Sequence, residues 1–170
     1  MHEHVKQIRS LCRHINNVQA NCELLGERLI EMGEVELGKK LIANGFLHDN
    51  SKFFGIEYDY LGDDDPEVRD SRILAIQNHS ATNQHHPEFW ASDGGIHLMP
   101  RIALAEAICD WKARSSEFGT SLMDFIENQA MARYGFTKED KVYSDIMDLV
   151  NLLVERPFTP LISELEEIKA

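Results

Sequence analysis

The chain has three cysteines, Cys12, Cys22 and Cys109, and none stands in a C-x-x-C pair. An odd, scattered set supports neither a disulfide framework nor a zinc ribbon, so these thiols are expected to pack in the core. Long apolar runs are missing too. None reaches the ~18 residues that a bilayer span needs, and the N-terminus, with His2 and His4 in its first four residues, has no signal-peptide core. A soluble, cytoplasmic protein without a membrane partner is expected. Basic residues are few: 17 Lys+Arg stand against 29 Asp+Glu, for a formal net charge of -12. Such a chain repels a phosphate backbone, which argues against general nucleic-acid binding. A small phosphorylated substrate is not excluded, because a bound cation reverses the local field. Alternating strand patterns, internal repeats and low-complexity tracts are absent as well.

What is present is helical periodicity. With 170 residues, 43% of them hydrophobic, the chain suits one globular domain able to bury a core. Ile8, Leu11, Cys12, Ile15, Val18, Cys22, Leu25 and Leu29 follow one helical face over residues 5–30, with a break expected near Gly26. A second helix is expected over 34–43, stopped by Asn44-Gly45. Residues 53–65 lose the period and end in Asp63-Asp64-Asp65, ahead of a helix over 66–79 opened by Pro66. Residues 80–97, rich in Asn, His, Gly and Pro, read as an ordered loop or short helical turns. A mostly apolar, deeply buried helix follows over 98–116.

Thr120 is expected to cap a helix ending near Gly135. Thr137 with Asp140 suggests a capping box for a helix to about Arg156, stopped by Pro157, and Thr159-Pro160 opens a short last helix. The expected fold is an all-α single-domain bundle of about six or seven helices spanning 1–170, with residues 120–168 completing it.

Four positions carry the chemical signal: His14, the adjacent His48-Asp49, and Asp110. Imidazole nitrogen and carboxylate oxygen are the donors that hard or borderline divalent ions take. Asp110 lies among Ile108, Cys109 and Trp111, where a carboxylate is costly to bury without a partner such as a metal ion. His14 follows Leu11 by one turn and precedes Val18 by another, so its ring should face the core. Asn17 and Asn21 share that side of the helix and are candidates to bind substrate or orient ligands. Glu106, one turn before Asp110, is a candidate to hydrogen-bond a ligand. Glu57 and Glu88 are candidate proton carriers, with a solvated carboxylate the simpler expectation for each. Phe89, Trp90 and Trp111 could stack on a ring but are expected in the core. His2, His4 and His97 are expected at the surface.

The set His14, His48-Asp49 and Asp110 resembles the HD superfamily of metal-dependent phosphohydrolases, whose pattern is a histidine, a His-Asp pair and a distant aspartate. That resemblance implies a helical bundle, and it covers about residues 10–115. In the binuclear branch of that superfamily a lysine follows the pair by three residues and further histidines bind a second metal. Lys52 in His-Asp-Asn-Ser-Lys, then His79, His85-His86-Pro87-Glu88 and Asp93-Gly94-Gly95, are similar to those features, although the branch's Gly-Tyr-Pro signature is absent. By this resemblance His79, His85 and His86 join His14, His48, Asp49 and Asp110 as ligands of one or two divalent ions, with manganese, iron, cobalt, nickel and zinc not distinguished.

The expected activity is hydrolysis of a phosphoester of a nucleotide or other small phosphorylated metabolite by a metal-activated water. Asp49 would bridge the metals and Lys52 would hold a phosphate oxygen. Two alternatives stay open. The ligand order and the lysine are also similar to those of mixed-valent di-iron oxygenases related to myo-inositol oxygenase. A non-catalytic module in which metal contributes folding energy alone is the other. Substrate identity and a homo-oligomeric state are left open by the sequence.

Overall fold

Val18, Cys22, Leu25 and Leu29 repeat at helical spacing and are fully buried, which aligns them on one face of α1 (Glu3–Glu31). The computed structural model describes residues 3–62 and 65–154, with side chains from Val5 onward. Over these residues the chain is all-α: eight α-helices joined by 3-10 turns and one π turn, with no strand.

α2 (Val35–Leu47) folds back along α1. Gly33, with φ of 91°, makes the reversal, and the Gly33 and Glu34 N–H groups donate to the carbonyls of Ile30 and Leu29 at 3.0 and 2.8 Å. The expected break at Gly26 does not occur. A Cβ at Gly26 would lie 2.6 Å from Ile42 Cγ1 and 2.8 Å from the Gly38 carbonyl oxygen, and one at Gly38 would run into the Gly26 carbonyl. The two glycines let the helices cross backbone to backbone, a packing role that helical periodicity alone does not distinguish from a break. Gly45 likewise does not stop α2: it lies within the helix, where a Cβ would come 2.8 Å from Cys22 Cβ.

A 3-10 turn (Asn50–Phe53) leads into α3 (Gly55–Tyr60), where the sequence shows no period; six residues are too few to establish one. Asp65 accepts the Glu67 N–H at 2.9 Å and opens the 3-10 turn Pro66–Val68 ahead of α4 (Arg69–Thr82). The 80–97 region completes α4 and then makes two 3-10 turns, Pro87–Asp93 and Gly95–Leu98. α5 (Arg101–Glu117) is buried on most of its circumference.

α6 (Leu122–Phe125) and α7 (Met131–Tyr134) are joined by the π turn Ile126–Ala130 into one rod that ends at Gly135. Its cap is Ser121 rather than Thr120, the Ser121 Oγ accepting the Asp124 N–H at 2.9 Å. Asp140 accepts the Thr137 N–H and hydroxyl at 2.7 and 2.9 Å. These residues close a turn ahead of α8 (Lys141–Val154), so the expected capping box lies outside the helix. The count exceeds six or seven because α3 is short and the π turn divides the α6–α7 rod.

α1, α2, α5 and α8 enclose the core, and the buried Arg28 ties α1 to the Leu152 carbonyl of α8. α3, α4 and the 3-10 turns pack largely on one another. Cys22 and Cys109 are buried as expected, whereas Cys12 is exposed, because it sits at the edge of the α1 stripe. No described helix is long and apolar enough to cross a membrane. His2, the His4 side chain, Asp63, Asp64, the stop at Pro157 and the helix expected from Thr159-Pro160 lie outside the described residues.

Candidate metal centre

Five separate parts of the chain deliver donors to one place. His14 projects from α1, His48 ends α2, His79 sits in the last turn of α4, His85 and His86 follow in the next loop, and Asp110 lies on α5. Asp49 is the one non-glycine residue with positive φ among those described, at 56°. Aspartate tolerates this left-handed region better than most residues, at some cost in strain. Such strain at a chemically loaded residue is a mark of a functional position.

The two oxygens of Asp49 face different donors. Asp49 Oδ2 lies 3.6 Å from His14 Nε2 and 3.5 Å from His48 Nε2. Asp110 Oδ1 joins this side, 3.0 Å from His14 Nε2 and 4.0 Å from His48 Nε2. Asp49 Oδ1 lies 3.2 Å from His79 Nε2 and 3.6 Å from His85 Nε2, and His86 Nε2 is 2.9 Å from His79 Nε2. One donor atom each from Asp49, His79, His85 and His86 lies within 4.8 Å of the others, and His14, His48 and Asp49 form a second such group. Ligands held at ~2.1 Å by one ion stand ~3 to 3.4 Å apart, so the groups have metal-binding spacing.

Five of these atoms are buried without a hydrogen-bond partner: His14 Nε2, His48 Nε2, His85 Nε2, Asp49 Oδ1 and Asp110 Oδ1. His14 Nε2 and Asp110 Oδ1 are close together yet not aligned as donor and acceptor. Each unsatisfied buried polar atom costs ~1–3 kcal/mol, and a cation accepting several lone pairs at once removes that cost. The donor set fits a divalent ion.

Carboxylates hold the far side of the rings. Glu117 Oε1 lies 3.0 Å from His14 Nδ1, Glu106 Oε1 lies 3.1 Å from His48 Nδ1 and 3.2 Å from His85 Nδ1, and Glu57 Oε2 lies 2.8 Å from His79 Nδ1. In the neutral tautomer with Nδ1–H donating outward, each Nε2 would present a lone pair toward Asp49. The carboxylates are held in turn: Asn17 donates to Glu117 at 3.0 Å, Asn44 to Glu106 at 3.0 Å, and Ser51 and Asn78 to Glu57 at 2.7 and 2.8 Å.

Protonation follows from this arrangement. Burial alone would raise the Asp49 carboxyl, but its close contact with His79, with His48 and Lys52 beside it, holds it well below the usual range. Asp110 is lowered in the same way, burial being outweighed by its contact with His14 and by His48. Glu106 falls to about 2, since its bonds to His48 and His85 outweigh burial. Burial, with His85 and His79 nearby, pulls His86 down to about 3. The carboxylates are therefore ionised and His86 neutral, the states in which they bind cations. Burial would lower His48, but Glu106, Asp49 and Asp110 outweigh it and raise the ring, whose proton a bound cation would displace.

All seven expected ligands converge. Lys52 pairs with Asp49 Oδ2 and is 10% exposed. Glu106 bonds His48 as expected and His85 in addition. Glu57 is not a solvated carboxylate: it is buried and fixes His79, because α3 turns it inward. Glu88 is partly exposed and pairs with Arg133 at 2.7 Å. Asn17 reaches the centre only through Glu117, and Asn21 donates to the Cys109 carbonyl at 3.0 Å, pinning α1 to α5. Trp111 is buried against Phe125 and Tyr134, Phe89 and Trp90 pack on each other, and His97 is exposed. Sequence reasoning missed Glu117, Ser51 and Asn78, whose roles depend on contacts between separate elements of the chain. Glu117 could have been found from its spacing, seven residues and two turns beyond Asp110 on the same helix face.

Comparison with curated proteins and with solved structures found no match to this chain. A family match covers all of the described helices: over residues 3–155 the chain belongs to the family described as "Family of unknown function (DUF5662)".

Proposed function

We propose that this chain is a phosphohydrolase that holds two divalent ions, one on His14, His48, Asp49 and Asp110 and the other on Asp49, His79, His85 and His86. The observation that carries this reading is the split of Asp49: its two oxygens face two sets of buried donors, as a bridging carboxylate would. The sequence resemblance to the binuclear HD phosphohydrolases points the same way. Divalent ions at such a site supply an acidified water and neutralise phosphate oxygens.

The chain's own residues divide the remaining work. Asp49 and Asp110 bring negative charge that offsets the cations, and Glu57, Glu106 and Glu117 hold the imidazoles in one tautomer and orientation. Lys52 is anchored by Asp49 at the edge of a cleft that the buried His14 also lines. From there its ammonium would take a non-bridging phosphate oxygen, placing a third positive charge where negative charge collects in the transition state. The acidic surface does not oppose this, because substrate would meet the local cations first.

The test is hydrolysis of a phosphomonoester panel by protein loaded with manganese, alongside His48→Ala and Asp49→Ala proteins whose circular dichroism matches the wild type. Loss of turnover in both variants is expected. Full activity in both would sink the reading. Iron in the purified protein with oxygen-dependent product formation would replace it with the oxygenase alternative. A large fall in melting temperature on chelation without any turnover would leave a metal-stabilised module.

A further inference from the structure

Beside the metal centre, α1 and α3 leave a cleft of about 340 Å³, at the small end of ligand sites, which run ~300–1,000 Å³. Its walls fall into two parts. At the inner end stand His14 and Lys52, with Arg114 also in the lining. Arg114 follows Asp110 by one turn of α5, so it emerges on the same face as that donor. Two cations on one small cleft are conspicuous in a chain of net charge -12. Arg114 is 45% exposed and its contact to Glu117 is long, 3.4 Å, which leaves its planar fork available to an anion.

The outer part is different. Ile8 and Leu11 from α1 face Tyr58 and Leu61 from the α3 side. Gln7 Nε2 donates to the Gly62 carbonyl at 2.7 Å and ties the two walls together. Tyr58 and Ile8 remain 48% and 37% exposed, apolar surface that a ligand could cover. Ser10, Glu57 and the Tyr58 hydroxyl also line the cleft, so the apolar walls make up one part of it rather than the whole.

We propose that this cleft seats the organic part of a phosphate monoester, that this part is compact and apolar or aromatic, and that Arg114 joins Lys52 in holding the phosphate. The inference rests on the phosphohydrolase reading and adds the substrate's chemical class. The cationic end fixes the phosphate against the centre, and the Ile8, Leu11, Tyr58 and Leu61 walls select what is esterified to it.

The experiment uses binding, so that it does not depend on turnover. Phenylphosphonate and methylphosphonate, which have no ester to cleave, are titrated calorimetrically into manganese-loaded wild-type, Leu61→Asn and Arg114→Gln proteins. Leu61 is half-buried and Arg114 exposed, so both variants are expected to fold, with circular dichroism and metal content as the check. Phenylphosphonate should bind the wild type about tenfold tighter than methylphosphonate, which is ~1.4 kcal/mol. Leu61→Asn should erase that preference, and Arg114→Gln should weaken both ligands about tenfold. Equal affinities, a preference that survives Leu61→Asn, an Arg114→Gln protein that binds like the wild type, or no binding overturns the proposal. Phenyl phosphate turnover is read separately. Preference without turnover removes the hydrolase reading and leaves the subsite, while turnover without preference does the reverse.

Discussion

Glu106 Oε1 stands 3.1 Å from Nδ1 of His48. The same oxygen stands 3.2 Å from Nδ1 of His85, so one carboxylate steers a ring on each side of Asp49. Glu117 touches His14 alone among the donors. Loss of an outer hydrogen bond to a metal-binding histidine costs ~10–100-fold in affinity. Glu106→Gln is therefore expected to weaken both ions by that range, and Glu117→Gln only the one shared by His14 and Asp110. Metal content after dialysis against chelators of graded strength separates the two. A Glu106→Gln protein that loses one ion and keeps the other at wild-type strength refutes the shared role.

Glu106 also predicts how the metal-free protein responds to acid. Its folded value is about 2, held there by His48 and His85 against the opposing effect of burial. A carboxyl depressed on folding contributes stability that is complete above its unfolded value of ~4.3 and is lost as pH falls through the folded one. The loss should run from about pH 5 down to about 2, amounting to ~3 kcal/mol at most. Urea unfolding of chelated protein at pH 7, 4 and 3 measures it. Glu106→Gln should start less stable at pH 7 and decline less steeply. Parallel slopes for the two proteins would show that Glu106 is not the group responsible.

Asp49 combines two demands that substitution can separate. Its φ of 56° needs a residue tolerant of the left-handed region, and its oxygens face donors on both sides. Asparagine keeps the backbone preference and loses the charge; valine loses both, and its branched Cβ costs ~1–2 kcal/mol more at such φ. Metal-free Asp49→Asn should thus unfold ~1–2 kcal/mol above Asp49→Val, while both bind metal far more weakly than the wild type. Equal stabilities of the two variants would remove the strain argument.

Much of this centre was legible because histidine and aspartate are rare on apolar helical faces. His14 beside the Leu11–Val18 stripe and Asp110 inside an apolar segment announced themselves through burial alone. α1 was likewise readable from its period, and α5 from its mostly apolar composition. What stayed hidden depends on contacts between distant segments. Gly26 reads as a break and Gly45 as a stop because the neighbour that each one faces lies on another helix. Glu57 looked solvated because only the turn of α3 brings it to His79. Glu117 lies 103 positions from His14 in the chain, and no local pattern joins them.

The glycine crossing has a consequence for the centre as well as for the fold. Gly38 lets α2 lie against the Gly26 carbonyl of α1, and the same two helices carry His48 and His14. A methyl group at position 38 must push the helices apart, and overpacking of this kind costs ~1–3 kcal/mol. Because interiors transmit strain, the displacement should also reach the end of α2 and widen the His14–His48 gap. Gly38→Ala is therefore expected to lower the melting temperature and to weaken metal binding together. Lys40→Ala, an exposed position on the same helix, should change stability by no more than ~0.5 kcal/mol and leave metal binding alone. If Gly38→Ala loses stability but binds metal at wild-type strength, the centre does not depend on how closely α1 and α2 approach.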